Sequence, residues 1–230
     1  MSEVLERVRG GLIVSCQAYP GEPMLDPRTM TQVAQAAVAG GAIGIRAKGL
    51  GDLRAMRAVL DVPLIGLVKV GSSDVYITPT LDDCMAVAAT GVEIVATDGT
   101  RRPRPDGRSL QETILALKAQ WPDVLVMADC GSAGDATDAQ SAGADLIGTT
   151  LGGYSGERPT TPGPDWELID DLVAQCTVPV IAEGRIRSPS DAAESIRRGA
   201  WAVVVGTAIT HPTTITRSFA DVVAAESEPS

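Results

Sequence analysis

Short apolar runs alternate with helical segments along this chain, and each run ends in glycine or a polar residue. A short continuous apolar run with such an ending is typical of a fully buried parallel strand whose tip opens towards a ligand. The clearest examples are residues 179–185 and 202–207. Glu183 closes the first of these runs, and a buried carboxylate costs several kcal/mol unless it is paired. Glu183 is therefore the first candidate functional residue.

Eight runs of this kind predict strands, and a helical segment follows each of them. The predicted strands are residues 11–17, 42–46, 64–69, 93–98, 124–129, 145–150, 179–185 and 202–207. The predicted helices are residues 2–9, 27–39, 49–60, 81–90, 109–120, 132–142, 165–175, 189–198 and 213–225. The repeat favours an α/β fold, a (β/α)8 TIM barrel of the phosphate-binding type. A doubly wound sheet fits less well, because no dinucleotide-binding glycine pattern follows the first strand.

The composition supports one barrel domain. No linker rich in proline or serine divides the 230 residues, so we expect a single domain over 1–230, with a leading segment at 1–9 and a tail at 226–230. The net charge of −10 argues against a nucleic-acid surface, which needs clustered lysine and arginine. Any phosphate that binds must be small and held locally.

The cysteines and the single histidine do not predict a metal site. Cys16, Cys84, Cys130 and Cys176 show neither CxxC nor Cys/His spacing, so buried free thiols are expected. His211 is the only histidine, and beside Pro212 it is expected to cap or pack rather than to bind a metal. The N-terminus lacks a signal-peptide pattern, and no apolar run approaches about 18 residues. We therefore expect a cytoplasmic protein with no membrane contact.

Polar residues end the predicted strands, where a barrel of this kind binds its ligand. They are Gln17, Arg46, Lys69, Asp98, Asp129, Thr149, Glu183 and Gly206. Side chains alternate along a strand, so Lys69 shares a face with Ile65 and Leu67, and Glu183 shares a face with Ile181. If those faces point inward, an arginine, a lysine, an aspartate and a glutamate converge on one mouth. The alternative is that these charged residues form salt bridges at the rim of the barrel that only stabilise the fold.

Lys69 is a candidate base. Its apolar neighbours Leu67 and Val68, together with Arg46 across the mouth, disfavour an ammonium through desolvation and like charge. A neutral amine suits proton transfer or a Schiff base. A simple ion pair with an aspartate or glutamate is the alternative.

The last two loops are candidates for a phosphate site. Gly184 and Gly206, with Thr207 opening a short helix, resemble the site that many barrels build after strands seven and eight. The basic run at 101–108 is either a solvated loop or a contact for an anionic substrate or a second subunit.

Several separate motifs, in order, resemble the N-acetylmannosamine-6-phosphate 2-epimerase family. The motifs are residues 10–18, 44–47, 76–80, 148–151, 181–184 and 203–210, and the similarity extends from about residue 9 to residue 223. The resemblance implies a phosphate-binding barrel that interconverts N-acetylmannosamine 6-phosphate and N-acetylglucosamine 6-phosphate in sialic-acid catabolism. It implies no cofactor and no metal, and a homodimer is expected.

The resemblance also implies roles for particular residues. Lys69 and Glu183 are the expected catalytic pair. The expected substrate contacts are Gln17, Arg46, Asp129, Tyr76 and Thr149. The expected phosphate contacts are Gly184, Arg185, Gly206 and Thr207.

The chain departs from the family pattern in three places. The loop after Lys69, at 70–74, is shorter than usual and lacks a basic and acidic pair. Lys48 replaces a common asparagine, and Gly99 replaces an alanine. At this point two other functions stay open, namely another phosphate-binding-barrel enzyme that acts on a sugar phosphate and a non-catalytic sugar-phosphate sensor.

Overall fold

Eight parallel strands form a closed barrel in this protein, whose structure is a computed structural model that describes residues 2–71 and 74–227. The strands are β1 (Leu12–Cys16), β2 (Gly44–Lys48), β3 (Leu64–Leu67), β4 (Ile94–Asp98), β5 (Leu125–Asp129), β6 (Leu146–Gly148), β7 (Val180–Glu183) and β8 (Ala202–Val205). They pair in sequence order, and β8 closes onto β1. The predicted (β/α)8 barrel is confirmed.

A helix follows every strand and covers the outside of the barrel, and one further helix precedes the first strand and packs Leu5 against the barrel interior. The helices are α1 (Glu3–Arg7), α2 (Pro27–Ala39), α3 (Leu50–Arg57), α4 (Leu81–Ala88), α5 (Leu110–Gln120), α6 (Ala133–Ser141), α7 (Trp166–Gln175), α8 (Pro189–Arg197), α9 (Thr207–Thr210) and α10 (Pro212–Ser227). The predicted strand at 42–46 begins two residues late, because Ala42 donates its N–H back to Ala37 and so ends α2. Met1 and residues 228–230, which belong to the predicted leading segment and tail, lie outside the described residues.

The barrel interior is filled by alternate side chains of the strands. Ile13, Ile65, Leu67, Ile94, Met127, Ile181 and Val204 belong to this interior cluster. The residues between them, such as Val14 and Val126, pack against the helices instead. Burying one such aliphatic side chain stabilises the fold by about 1.5–3 kcal/mol. The polar residues at the strand ends lie directly above these interior layers.

Side-chain caps begin the helices at the mouth of the barrel. The predicted capping box of Ser109 and Glu112 begins α5, and Thr80 with Asp83 begins α4 in the same way. A cap of this kind contributes about 1 kcal/mol. Because each of these helices begins where a strand has ended, the caps also fix the loops that surround the mouth.

The C-terminal helix α10 leaves an apolar side uncovered. Phe219 is 71% exposed and Val222 is 65% exposed. Within the residues that the structure describes, no helix combines the length and apolar character needed to span a membrane. Cys16, Cys84 and Cys130 are buried free thiols, as predicted, whereas Cys176 is only half-buried.

Candidate active site

A cavity of about 810 Å³ opens at the carboxyl ends of the strands. It brings together nine of the residues predicted from the sequence, namely Gln17, Arg46, Lys69, Tyr76, Glu183, Gly184, Arg185, Gly206 and Thr207. The strand alternation explains this convergence, since each charged residue occupies the next inward position after the apolar interior. Asp129 and Thr149 were predicted to contact substrate, and neither is among the residues that line the cavity.

Arg46 is the centre of a buried charge network. Its Nη1 and Nη2 atoms donate to the two carboxylate oxygens of Asp129 at 3.0 and 2.7 Å, and Nη1 lies 3.2 Å from Glu183 Oε2. Burial alone would lower the pKa of Arg46, but Asp129 and Glu183 outweigh burial and raise it. Arg46 therefore remains a fixed cation at the base of the cavity.

The predicted role of Asp129 as a ligand for a substrate hydroxyl stays a prediction, and in this structure its carboxylate accepts hydrogen bonds from protein donors. Its side chain is fully buried, and Thr150 Oγ1 donates to Asp129 Oδ1 at 2.6 Å in addition to the Arg46 contacts. Both carboxylate oxygens are therefore occupied by protein donors. Asp129 does point inward, as the alternation predicted, but it lies behind the long side chain of Arg46.

Thr149 is not among the residues that line the cavity either, and its role as a substrate contact stays a prediction. Its hydroxyl donates to the carbonyl of Glu183 at 2.8 Å and accepts from the Glu183 N–H at 2.9 Å. The neighbouring Thr150 lines the cavity and donates to Glu183 Oε2 at 3.2 Å. Thr149 thus fixes the backbone of Glu183, and Thr150 orients its carboxylate.

Glu183 is a carboxyl group that can both give and take a proton near neutral pH. Burial raises its pKa to about 7; Arg46 opposes this rise, and Asp129 adds to it. The side chain is 13% exposed, so one edge of the carboxylate remains open to the cavity. A general acid or base is most effective when its pKa lies near the working pH. The chemistry of Glu183 therefore fits proton transfer.

Lys69 lies just beyond β3 in a short antiparallel pairing. It bridges Ile77, and the N–H of Thr78 donates to the carbonyl of Val68 at 2.8 Å. Residues 72 and 73, in the short loop that departs from the family pattern, lie outside the described residues. This pairing ends the predicted strand early, at Leu67, and directs the Lys69 side chain into the cavity.

The Lys69 amine contacts a phenol. Its Nζ donates to the hydroxyl oxygen of Tyr19 at 3.0 Å, and the ion pairs among the described residues include none of Lys69. Burial lowers its pKa, and Arg46 lowers it further, although Glu183 and Asp129 oppose this. The predicted bias towards a neutral amine is confirmed in direction.

Gln17 offers an unused hydrogen-bond acceptor at the wall of the cavity. Its Nε2 donates to Ser15 Oγ at 2.8 Å, whereas the buried Oε1 atom has no hydrogen-bond partner. Leaving a buried amide oxygen unsatisfied costs about 1–3 kcal/mol, so the geometry favours a donor from a ligand. Tyr76 lines the same cavity, and burial raises the pKa of its phenol.

The opposite wall is built by the ends of β7 and β8. Gly184 has a φ of +117°, which a side chain would strain, and Gly206 begins α9. The first amides of any helix have no partner within the helix, so they are available to an anion. The cavity therefore has a glycine-lined wall beside its charged centre.

Arg185 lines the cavity and is also bonded to a neighbouring loop, and its role as a phosphate contact stays a prediction. Its guanidinium donates to Thr161 Oγ1 and to the carbonyls of Gly163 and Gly152, all in the β6–α7 loop. Its φ of +54° lies in the left-handed region, which few residues other than glycine adopt. Arg185 thus holds one edge of the cavity in place.

Three of the arginines in the basic run at 101–108 bind other groups of the protein itself. Arg104 is buried and donates to the carbonyls of Asp98 and Thr78, and Arg102 pairs with Asp98 at 2.9 Å. Arg101 pairs with Asp135 and Glu157. The role is therefore structural for these three arginines, and Asp98 belongs to this network and not to the cavity lining.

Sequence reasoning missed several residues that line the cavity, among them Tyr19, Thr150, Tyr154 and Arg187. His211, expected only to cap or pack, caps the end of α9 but also lines the cavity and lies 3.3 Å from Glu22. Tyr19 and Tyr154 belong to loops, whose reach a strand pattern does not define. Among residues 2–71 and 74–227, no group of three His, Cys, Asp or Glu side chains is placed to hold a metal ion.

Comparison with known proteins connects this geometry to one family. Residues 30–225 match the family model described as "Putative N-acetylmannosamine-6-phosphate epimerase". A relative from Cutibacterium acnes, named "Putative N-acetylmannosamine-6-phosphate 2-epimerase", is 56% identical over 220 residues, which cover 95% of this chain and 96% of the relative.

Two solved structures extend the comparison. The N-acetylmannosamine-6-phosphate 2-epimerase from Clostridium perfringens superposes with a TM-score of 0.92 at 37% identity, over 96% of each chain. A thiamine phosphate pyrophosphorylase from Pyrococcus furiosus, at 16% identity and a TM-score of 0.61 over 96% of each chain, shares the fold alone. The family match and the 56% identity together show that this chain belongs to the N-acetylmannosamine-6-phosphate epimerase family.

Proposed function

We propose that this protein is an isomerase that interconverts N-acetylmannosamine 6-phosphate and N-acetylglucosamine 6-phosphate, in amino-sugar and sialic-acid catabolism. One observation carries the assignment of the chemistry. Lys69, an amine biased towards its neutral form, and Glu183, a carboxyl with a pKa of about 7, line the same cavity around the fixed cation Arg46. A base, an acid and a site for developing negative charge are what inversion at a carbon beside a carbonyl requires.

The reaction begins with opening of the sugar ring. Opening moves a proton from the hydroxyl on C1 to the ring oxygen and creates an aldehyde at C1. The hydrogen on C2 then lies next to a carbonyl and becomes acidic enough to remove. Glu183, with one edge open to the cavity, is suited to carry the proton of ring opening.

Lys69 then takes the proton from C2. The C2–H electrons move into the C1–C2 bond, and the aldehyde oxygen becomes an enolate oxygen that the Arg46 guanidinium stabilises. Return of a proton to the other face of C2 gives the second epimer and restores the aldehyde. Glu183 is the second group that could serve the opposite face. Gln17 Oε1 accepts a hydrogen bond from the sugar and so orients it.

The phosphate is assigned to the glycine-lined wall. Gly184, Gly206 and Thr207 bound a part of the cavity where backbone N–H groups can hold an anion, and Arg185 and Arg187 line the cavity beside Gly184. This arrangement reconciles an anionic substrate with a protein of net charge −10. This wall and Lys69 line one cavity, so the phosphate and C2 of the same molecule can be bound together.

The test is conversion in heavy water. Purified protein is mixed with N-acetylmannosamine 6-phosphate in deuterium oxide, and products are followed by proton and phosphorus NMR. We expect N-acetylglucosamine 6-phosphate to form with deuterium at C2. A sugar-phosphate sensor would bind the compound without exchange, and conversion with no deuterium at C2 would contradict the proton-transfer mechanism.

We also propose a homodimer in the cytoplasm. Phe219 and Val222 give α10 an exposed apolar surface that a second copy would cover, and Phe219 also lines the cavity. Light scattering should give twice the mass of 23.8 kDa, and Phe219→Asp should lower that mass. A monomer over the whole concentration range would contradict this proposal. The cytoplasm is the compartment in which charged sugar phosphates are retained.

A further inference from the structure

Tyr19 lies at the cavity without belonging to the core. Its side chain is 39% exposed, and the hydrophobic clusters formed by the described residues do not include it. Its contacts are polar and cationic instead. Lys69 donates to its hydroxyl at 3.0 Å, and Lys48 Nζ lies 4.6 Å from the centre of its ring. Packing alone therefore does not explain a tyrosine at this position.

A rigid turn presents Tyr19 to Lys69. Tyr19 begins a four-residue turn in which Pro20 is followed by Gly21 at a φ of +88°, and Glu22 N–H donates to the Tyr19 carbonyl at 3.0 Å. Proline followed by glycine with positive φ is the composition of a type II turn. The Glu22 carboxylate accepts from the Tyr19 N–H and lies 3.3 Å from His211 Nδ1. The turn is thereby joined to the end of α9.

Lys48 fixes the same segment from β2. Its Nζ donates to the carbonyl of Ala18 at 2.6 Å while it lies over the Tyr19 ring. Burial lowers the pKa of Lys48, and the charge of Lys69 lowers it further, so the two lysines repel each other. The two Nζ atoms lie 4.6 and 4.9 Å from the centre of the same Tyr19 ring, so Lys48 is a second cation in the surroundings of Lys69.

A phenol differs from a carboxylate as a partner for a catalytic amine. A carboxylate would stabilise the ammonium by charge and so hold the proton on nitrogen. Burial raises the pKa of Tyr19, and the charge of Glu183 raises it further, so the phenol stays neutral. A neutral oxygen accepts one N–H of Lys69 and leaves the amine lone pair free to face the cavity.

We propose that Tyr19 is a positioning residue for Lys69, whose hydroxyl aims the amine into the cavity while Lys48 keeps its surroundings positive. The kinetic part of this proposal rests on the reaction proposed above. The ionisation of Lys69 can be measured without any substrate, so the two proposals fail separately. The groups that influence Lys69 are Arg46, Lys48, Asp129, Glu183 and Tyr19, with Glu22 and His211 acting through Tyr19.

The chain has only three lysines, Lys48, Lys69 and Lys118, which makes a direct titration practical. Protein labelled with carbon-13 at the lysine Cε is titrated by NMR, and Lys69→Arg and Lys118→Arg assign the signals. We expect Lys48→Gln to raise the titration midpoint of Lys69 by about half a pH unit or more, because a nearby like charge is removed. Lys48→Arg should retain the wild-type midpoint, and Lys118→Gln is the distant control.

The kinetics of the Tyr19→Phe variant test whether the Tyr19 hydroxyl contributes to turnover. Loss of one hydrogen bond of about 1–1.5 kcal/mol should lower kcat by about fivefold to tenfold, with KM within about twofold. Tyr19→Leu, which also removes the ring, should lower kcat further, and circular dichroism checks that both variants fold. Unchanged kcat in Tyr19→Phe, or an unchanged Lys69 midpoint in Lys48→Gln, would overturn the proposal. If the wild-type protein does not convert the substrate, the proposed function fails, whereas the titration still decides the role of Lys48.

Discussion

Arg46 and Lys69 line the same cavity, but the surroundings of Arg46 stabilise its protonated form, whereas those of Lys69 destabilise its protonated form. Arg46 is fully buried and paired with two carboxylates, so it stays protonated. Lys69 donates to a neutral phenol, and burial, followed by the charge of Arg46, lowers its pKa below the ordinary lysine value. The first arrangement is suited to holding negative charge that develops during a reaction, and the second is suited to moving a proton.

The difference shows why charged residues at one mouth need not have one role. A buried ion pair is costly to break, because removing one partner leaves the other charge uncompensated. A lysine without a carboxylate partner has little such energy to lose. We therefore expect changes on the Arg46 side to affect stability and changes at Lys69 to affect rate.

The largest expected effect is on rate at Lys69. Lys69→Met removes the amine and should lower turnover by about a thousandfold or more, in line with the 10²–10⁴ that a general base contributes. The free energy of unfolding in urea should stay within about 1 kcal/mol of wild type. Lys118→Met, which removes a lysine on α5 paired with Asp145, is the matched control and should keep its turnover. Normal turnover in Lys69→Met would contradict the contrast between Arg46, which affects stability, and Lys69, which affects rate.

The next effect is on stability at Asp129. Asp129→Asn keeps the shape but removes the charge that compensates Arg46, and we expect a loss of about 3 kcal/mol in the free energy of unfolding. Urea denaturation with an unchanged m-value measures this loss. Glu167→Gln, which removes an 89% exposed partner of Arg158, should cost less than about 1 kcal/mol. Equal losses in the two variants would show that burial of the Arg46 pair does not matter.

A smaller effect concerns the pH dependence of the free energy of unfolding that Glu183 causes. Its pKa in the folded protein, about 7, lies above the ordinary value of 4.5, so the folded state binds more protons than the unfolded state between these values. The contribution of Glu183 to stability is therefore fully present below pH 4.5 and is lost as the pH rises to about 7.

Glu183→Gln should abolish this dependence. The stability of the variant relative to wild type should grow by about 1–3 kcal/mol over that range. Urea titrations of both proteins at several pH values measure the difference. A difference that stays constant with pH would mean that Glu183 does not hold a proton in the folded protein.

Much of this organisation could be predicted from the sequence. The apolar runs predicted the barrel, and strand alternation predicted that Arg46, Lys69 and Glu183 point into one mouth. The same rule, continued from Leu146 inside the barrel and Ile147 outside it, places Thr150 and not Thr149 in the cavity. Alternation also could not show that the guanidinium of Arg46 covers Asp129, because it predicts the direction of a side chain and not how deeply that side chain is buried.

The loop residues could not be predicted from the strand pattern. Tyr19 reaches Lys69 through the turn at 19–22, whose position depends on tertiary contacts with α9 and β2. The hydrogen bonds of Arg185 to the β6–α7 loop also depend on tertiary structure, which no periodicity reveals. The sequence could predict a base at Lys69, whereas its neutral partner required the structure.

Exchange at C2 in heavy water tests the central claim, that Lys69 carries the C2 proton, most directly. Wild type, Lys69→Met and Glu183→Gln are each incubated with N-acetylglucosamine 6-phosphate in deuterium oxide, and the C2 proton signal is followed by NMR. Wild type should replace this proton with deuterium, and Glu183→Gln should do so slowly. Lys69→Met should leave it in place. Loss of the C2 proton signal in Lys69→Met at the rate of Glu183→Gln or faster would contradict the assignment of Lys69 as the base.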